Sequence, residues 1–316
     1  MKNFLCKLFT YVVIISLITL GINLLYIREV KDNDTITDVP DNIRICNFGS
    51  SHGLYGFDYQ DVEGKYTCFN FALSSQSLLY DYRILLNYKG KIQNGATVFI
   101  TVSYFSFFGE PEYKDENFAS KNKRYYKFLP SELITEYNWK TDMYVNYLPA
   151  LSSEGLFKLV KVLLHLNEAT DDGINIAKVD DDAMAAYKRH IANKFDTNGN
   201  RIRKQEAFEA IYGMINLCRE IGARPIMITP PYFHVYTEVV RKEDPNFFGD
   251  FYAVLDEIVS NTGCEYYDYA FDDRFCRDFS LFRDSDHLSR KGARTFTDNI
   301  LSEILSIDGI LHLKRT

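Results

Sequence analysis

Residues 43–53 read IRICNFGSSHG, a short, mostly apolar run that stops at Gly49 and gives way to two serines, a histidine and a second glycine. Its length and its β-branched and aromatic content predict a strand, and the glycine-bounded serines predict a tight turn leaving it. A serine on a turn between a strand and a helix projects its hydroxyl at the carboxyl edge of a sheet, near backbone N–H groups able to receive an oxyanion. Ser51 is therefore a candidate nucleophile. Taken alone, GSSHG equally describes an ordinary strand-to-helix turn, because glycine–serine turns are common.

Working outward, YTCFNFAL (66–73), ATVFITVSYF (96–105), RPIMITPPYF (224–233) and CEYYDYAF (264–271) are strand-like on the same grounds. Helical spacing lies between and after them. Leu78, Leu79, Tyr82, Leu85 and Leu86 share one face, as do Phe208, Ile211, Ile215 and Cys218, and again Phe296, Ile300, Ile304 and Leu305. Asp244-Pro245 opens a further helix, Asn261-Thr262-Gly263 ends it, and a last helix runs from about Ser289 to Ser306. Five strands alternating with helices predict an α/β fold: a three-layer α/β/α sandwich around a five-stranded parallel sheet. Residues 107–200 interrupt the rhythm as an insertion rich in Tyr, Lys and acidic residues. Two readings stand for it, a lid or substrate-recognition element and a surface decoration. Within it, Asp196-Thr197-Asn198-Gly199-Asn200 lacks the glycine and glutamate positions of a calcium loop and reads as a turn.

The N-terminus places Lys2 and Lys7 before an uncharged stretch of twenty residues, 8–27. That is long enough to cross a hydrocarbon layer of about 30 Å and too long for the apolar core of a cleaved signal peptide. Residues 1–30 are expected to be a retained transmembrane signal anchor, 31–41 a polar tether containing Pro40, and 42–316 the folded domain. Lys2 and Lys7 would stay in the cytoplasm, against a weaker opposing bias from Arg28 and Lys31, leaving the domain extracytoplasmic.

The 316 residues are 46% hydrophobic and 25% charged, an ordinary globular balance. With 43 acidic against 36 basic residues and a net charge of −7, no basic footprint for nucleic acid exists. Cys6 lies at the membrane edge. Cys46, Cys68, Cys218, Cys264 and Cys276 form no CxxC pair and no metal-ligand spacing, so small buried hydrophobes are expected, with no metal and no cofactor.

At the far end, FRDSDHLSRKGA (282–293) sets Asp284 three residues before His287. A serine needs a base to take its proton, and the imidazole needs an acceptor to hold its tautomer; one loop supplies both. The competing account makes Asp284 and Asp286 helix caps and His287 an exposed loop residue. His52, beside Ser51, is expected to point away or to cap the following helix, with a substrate contact as the lesser alternative. His234, in TPPYFHVY, lies on the edge of the sheet that would line the site. No constellation surrounds His165, His190 or His312.

A G-x-S turn after the first strand and a D-x-x-H before the last helix together resemble the SGNH (GDSL-like) hydrolase superfamily. NFGSSH (47–52), FNFALSSQS (69–77) and LFRDSDHLSRKGA (281–293) are most similar to its membrane-anchored envelope members. Those include the D-alanyl transfer protein of teichoic acid D-alanylation and the SGNH partners of membrane-bound O-acyltransferases. The resemblance implies Ser51 as nucleophile, His287 as general base and Asp284 as its orienting acid, with Asp286 as the rival. It implies oxyanion donors from Ser51's own N–H and from Ser74 or Ser75. The family's G-x-N-D after strand three is missing, and Ser103 stands in that region instead. GSSHG also satisfies the nucleophile elbow of α/β-hydrolases, but only one strand fits between anchor and serine, which excludes that fold.

The resulting expectation is an extracytoplasmic, membrane-anchored serine acyl-enzyme catalyst. It would act as acyltransferase or esterase on acetyl- or D-alanyl-type groups of a cell-envelope glycopolymer, with a membrane-bound O-acyltransferase as a candidate partner. The alternative is a non-catalytic glycopolymer-binding module that keeps only the fold.

Overall fold

The computed structural model describes residues 2–30, 35–62, 64–114, 118–152, 155–164, 166, 174–192 and 194–305. The chain opens with helix α1 (Lys2–Glu29), then runs through β1 (Ile43–Phe48), α2 (Ser51–Leu54), β2 (Cys68–Asn70), α3 (Leu78–Tyr88) and β3 (Ile92–Thr101). Short helices α4 (Phe118–Asn122), α5 (Trp139–Asp142) and α6 (Gly155–Leu163) follow, then α7 (Val179–His190) and α8 (Gln205–Glu220). The last stretch carries β4 (Arg224–Thr229), α9 (His234–Glu243), α10 (Phe247–Thr262), β5 (Glu265–Asp268), α11 (Asp273–Cys276) and α12 (Arg290–Leu305).

All five expected strands form, and they pair in parallel in the order β2-β1-β3-β4-β5. Cys46 lies beside Val98, Val98 beside Pro225, and Met227 beside Tyr266. Burial is nearly continuous along the three central strands, as a parallel sheet requires, and lighter on the edge strands β2 and β5. One core cluster joins Ile45, Phe99, Ile226 and Ile228 of the sheet to Phe296, Ile300, Leu301 and Ile304 of α12, while α3 packs along α8. The helix after Asp244-Pro245 ends where expected, with Gly263 in the left-handed region at φ 62°.

One expected boundary needs correction: residues 96–105 do not all lie in the sheet, since β3 starts earlier, at Ile92, and stops at Thr101. The stretch after β4 forms a further helix, α9, before α10. The chain divides into two compact units: Met1–Thr37 with Asn117–Thr170, and Asp38–Glu116 with Asp171–Thr316. Residues 107–116 and 171–200 of the insertion thus belong with the sheet, where Asp182 Oδ2 accepts the Ser285 N–H at 2.7 Å. The 196–200 segment is a turn, in which Asp196 accepts the N–H groups of Asn198 and Asn200.

In the first unit, α1 is long and apolar enough to cross a membrane, and only 6% of its most apolar window is buried. Of the cysteines, Cys46, Cys218, Cys264 and Cys276 are buried thiols, Cys68 is half-buried and Cys6 exposed.

Candidate active site

The strand order reverses direction between β1 and β3, since β1 leads to β2 on one side while β3 lies on the other. In open α/β sheets the crevice beyond the carboxyl ends of strands at such a point is where ligands bind. Ser51 follows β1, Ser103 follows β3 and Tyr232 follows β4, so all three stand at that edge.

The turn carrying Ser51 is bolted from beneath. Gly49 has φ 143°, and a Cβ there would meet Thr101 Cβ at 2.6 Å, so the bend requires glycine. The Gly49 N–H donates to buried Asp81 Oδ1 at 2.8 Å, and Gln76 Nε2 donates to the same oxygen at 2.6 Å. Burial pushes the Asp81 carboxyl up to about 7, with the Gln76 and Gly49 hydrogen bonds pulling the other way. Asn47 and Asn70, at the ends of β1 and β2, bond each other at 2.9 Å, and both donate to the Gly53 carbonyl. Neither pair was singled out in the sequence, although asparagine inside a buried strand is itself a signal that its amide serves a partner.

From this turn Ser51 Oγ lies 2.8 Å from His287 Nε2, and His287 Nδ1 lies 2.9 Å from Asp284 Oδ1. The D-x-x-H spacing works because Asp284 closes its own turn: Oδ1 also accepts the N–H groups of Asp286 at 3.2 Å and His287 at 2.7 Å. Asp286 Oδ1 stands 3.3 Å from the same Nδ1 as an ion-pair contact, while the hydrogen bond goes to Asp284. Burial works against the His287 cation, but the carboxylates of Asp284 and Asp286 outweigh it and raise the pKa to about 9.

His52 neither points away nor caps the helix. It is 3% exposed, its Nδ1 lies 2.8 Å from Ser103 Oγ and 3.1 Å from Tyr232 Oη, and its Nε2 lies 3.3 Å from Asp286 Oδ2. Burial lowers its pKa to about 4 despite the Asp286 hydrogen bond, so the ring is neutral. A carboxylate can only accept; the single ring proton therefore sits on Nε2, and Nδ1 receives the hydroxyl protons of Ser103 and Tyr232. That assignment commits the Ser103 hydroxyl to His52, and the Ser103 N–H is committed to Ser106 Oγ at 2.9 Å.

The expectation that His190 stands apart is also corrected. Carried in by α7, its Nε2 lies 3.2 Å from Asp286 Oδ2, with its ring stacked on Phe105. Burial lowers its pKa. Asp286 is thus ringed by three imidazoles, whose contacts with it hold it well below the usual carboxylate range even though burial opposes its charge. Nothing in the sequence around residue 190 signals this, because the contact joins a helix of the insertion to a loop near the C-terminus.

Other expected residues fall elsewhere. Ser74 and Ser75 occupy the turn after β2, Ser75 with φ 53°, and the Leu73 N–H donates to the Gly49 carbonyl at 3.3 Å, which lays that turn along the serine turn. His234 begins α9, and its Nδ1 lies 3.1 Å from Glu238 Oε1. His165 and His312 lie outside the described residues. Ligand atoms of His52, Asp286 and His287 come within 4.8 Å of one another. Both nitrogens of His287 are engaged, by Ser51 and Asp284, which leaves only two of that trio to offer a metal. No known family's sequence profile matches the chain, and no curated protein matches it.

Proposed function

We propose that this chain is a membrane-anchored serine acyl-enzyme catalyst with an SGNH-like three-layer α/β/α domain. Its substrate would be an acyl ester of a cell-envelope glycopolymer, of acetyl or D-alanyl type. The single observation that carries the reading is the unbroken line from Ser51 Oγ through His287 to Asp284, at 2.8 and 2.9 Å. Both distances are within the reach proton transfer needs.

In this reading Ser51 Oγ attacks the acyl carbonyl and passes its proton to His287 Nε2. Asp284 holds Nδ1–H and stabilises the imidazolium that forms. Ser51 is the first residue of α2, whose opening N–H groups have no partner inside the helix, so its own N–H is available to the oxyanion. The leaving oxygen takes the proton back, and an acyl group remains on Ser51. Water or a sugar hydroxyl then attacks the acyl carbonyl, giving its proton to His287; the bond to Ser51 Oγ breaks and His287 returns the proton to that oxygen, so hydrolysis and transfer use the same residues. Anchoring by α1 would hold the catalyst beside a polymer or donor confined to the envelope, raising effective concentration.

With a pKa of about 9, His287 is mostly protonated at neutral pH and must lose that proton to act as base. Acylation should therefore speed up as pH rises toward 9. The same protonated state is what favours the alternative, a non-catalytic glycopolymer-binding module. Intact mass of the full chain in detergent, after a fluorophosphonate probe at pH 7 and pH 9, separates the two. A single adduct, faster at pH 9 and lost in both Ser51→Ala and His287→Ala, is the expected outcome. Well-folded protein without adduct at either pH would sink the catalytic reading.

A further inference from the structure

In the first compact unit, α1 ends against a segment of the insertion. Asn23 lies within the apolar stretch 8–27 and is buried; its Oδ1 accepts the Ala150 N–H at 3.0 Å, while its Nδ2 donates to the Thr19 carbonyl at 2.9 Å. Tyr26 packs with Ala150 and Leu159, flanked by Ile22, Leu25 and Val30. Asn23 is four residues from the end of the apolar stretch, about 6 Å at the rise of an α-helix. A polar amide at that depth is tolerated because protein, not lipid, meets it.

Only Leu159 and Gly155 of α6 are turned inward. Val162 is half-buried, whereas Leu156 (50% exposed), Phe157 (62%), Val160 and Leu163, with Leu164 just past the helix end, form a continuous bare stripe at helical spacing. Lys158 and Lys161 are its only charges, and Lys161 Nζ sits 4.6 Å from the centre of the Phe157 ring. Trp139, Tyr144 and Tyr147, exposed just upstream, are the aromatic types enriched at membrane interfaces.

We infer that residues 139–152 and 155–164 form a second membrane contact. Helix α6 lies in the interfacial layer of the leaflet at the C-terminal end of α1, its apolar stripe in the acyl-chain boundary and its lysines reaching anionic headgroups. The occupant is lipid because α6 packs against the last turns of α1, where Leu24 and Ile27 remain exposed, at a depth set by the Asn23–Ala150 hydrogen bond. Interfacial helices of this pattern sit about 5–10 Å into the headgroup boundary, and lysine stems snorkel outward. The inference rests on α1 spanning the membrane.

Trp139 is the chain's single tryptophan, so an indole can be moved. Full-length chains carrying Trp139→Phe with either Phe157→Trp or Ile15→Trp go into phosphatidylcholine–phosphatidylglycerol vesicles containing brominated acyl chains. The indole at position 157 should shift to the blue, be quenched most by bromines near the headgroup, and show several-fold less acrylamide quenching than free tryptophan. The indole at position 15 should be quenched most by deep bromines. Position 15 quenched with position 157 open to acrylamide would overturn this inference and spare the anchor. Position 157 shielded from both quenchers would mean that protein covers the stripe, and would also overturn it. An unquenched position 15 would remove the anchor and this inference with it.

Discussion

His287 and His52 stand ring beside ring, centroids 4.8 Å apart, and both touch Asp286, yet they are driven in opposite directions. His287 lies on the loop of Asp284 and faces two carboxylates; its pKa rises to about 9. His52 lies under the serine turn, deeply buried, shares a single carboxylate and receives two hydroxyls; its pKa falls to about 4. Desolvation opposes charge on both rings, and what separates them is how many carboxylates remain after that cost. In the proposed mechanism one ring is the base and the other a neutral strut holding Asp286 and Ser103.

The largest test of that contrast exchanges the carboxylates. Asp284→Asn should slow acylation by roughly 10³-fold or more, because the amide no longer holds the required tautomer. Asp286→Asn should cost far less at its best pH and move the rising limb of the pH–rate profile from near 9 toward neutral, since one of two carboxylates facing Nδ1 is gone. Reversed outcomes in fluorophosphonate labelling rates would make Asp286 the orienting acid.

A smaller effect appears in stability against pH. As pH rises from about 6.5 to 9 the folded chain keeps a His287 proton that the unfolded chain has released, so the stability it confers is full below 6.5 and lost through 9. For His52 the sign is opposite: as pH falls from about 6.5 to 4 the unfolded chain takes up a proton that the folded chain refuses, and stability drops. His287→Gln should flatten the alkaline limb and His52→Gln the acid limb, each by on the order of 3 kcal/mol. Denaturant unfolding of the full chain across this pH range checks it; identical profiles for the two variants would mean that the rings do not differ.

The smallest change removes one hydroxyl. Tyr232→Phe leaves Ser103 as the donor to His52 Nδ1 and should cost about 0.5–1.5 kcal/mol in the same unfolding measurement. No cost at all would mean that the Tyr232 hydroxyl makes no stabilising hydrogen bond to His52.

Much of this was legible along the chain. Strand-forming runs were visible because parallel strands buried on both faces are almost uninterruptedly apolar. Helix faces showed in their 3.6-residue period, and Val235, Tyr236, Val239 and Val240 of α9 carry the same spacing in a segment otherwise polar. Ser51, Asp284 and His287 stood out because glycine-bounded serines and a D-x-x-H step are local patterns. His190 and Asp182 carried no such pattern. Their partners, Asp286 and Ser285, lie about a hundred residues away on another element.

The amino-acid sequence by itself determined the five strands, most of the helices between them, the apolar N-terminal helix, and the candidate serine and histidine at opposite ends of the folded part. Only the tertiary structure decided that Ser51 meets His287 across 236 positions, that Asp284 takes the Nδ1 hydrogen bond, and that His52 and His190 close around Asp286. The physical reason is that strands and helices are set by short-range periodicity and backbone sterics. Protonation and pairing depend instead on burial and on distances of 3 to 4 Å between remote residues, which the order of strands in the sheet creates.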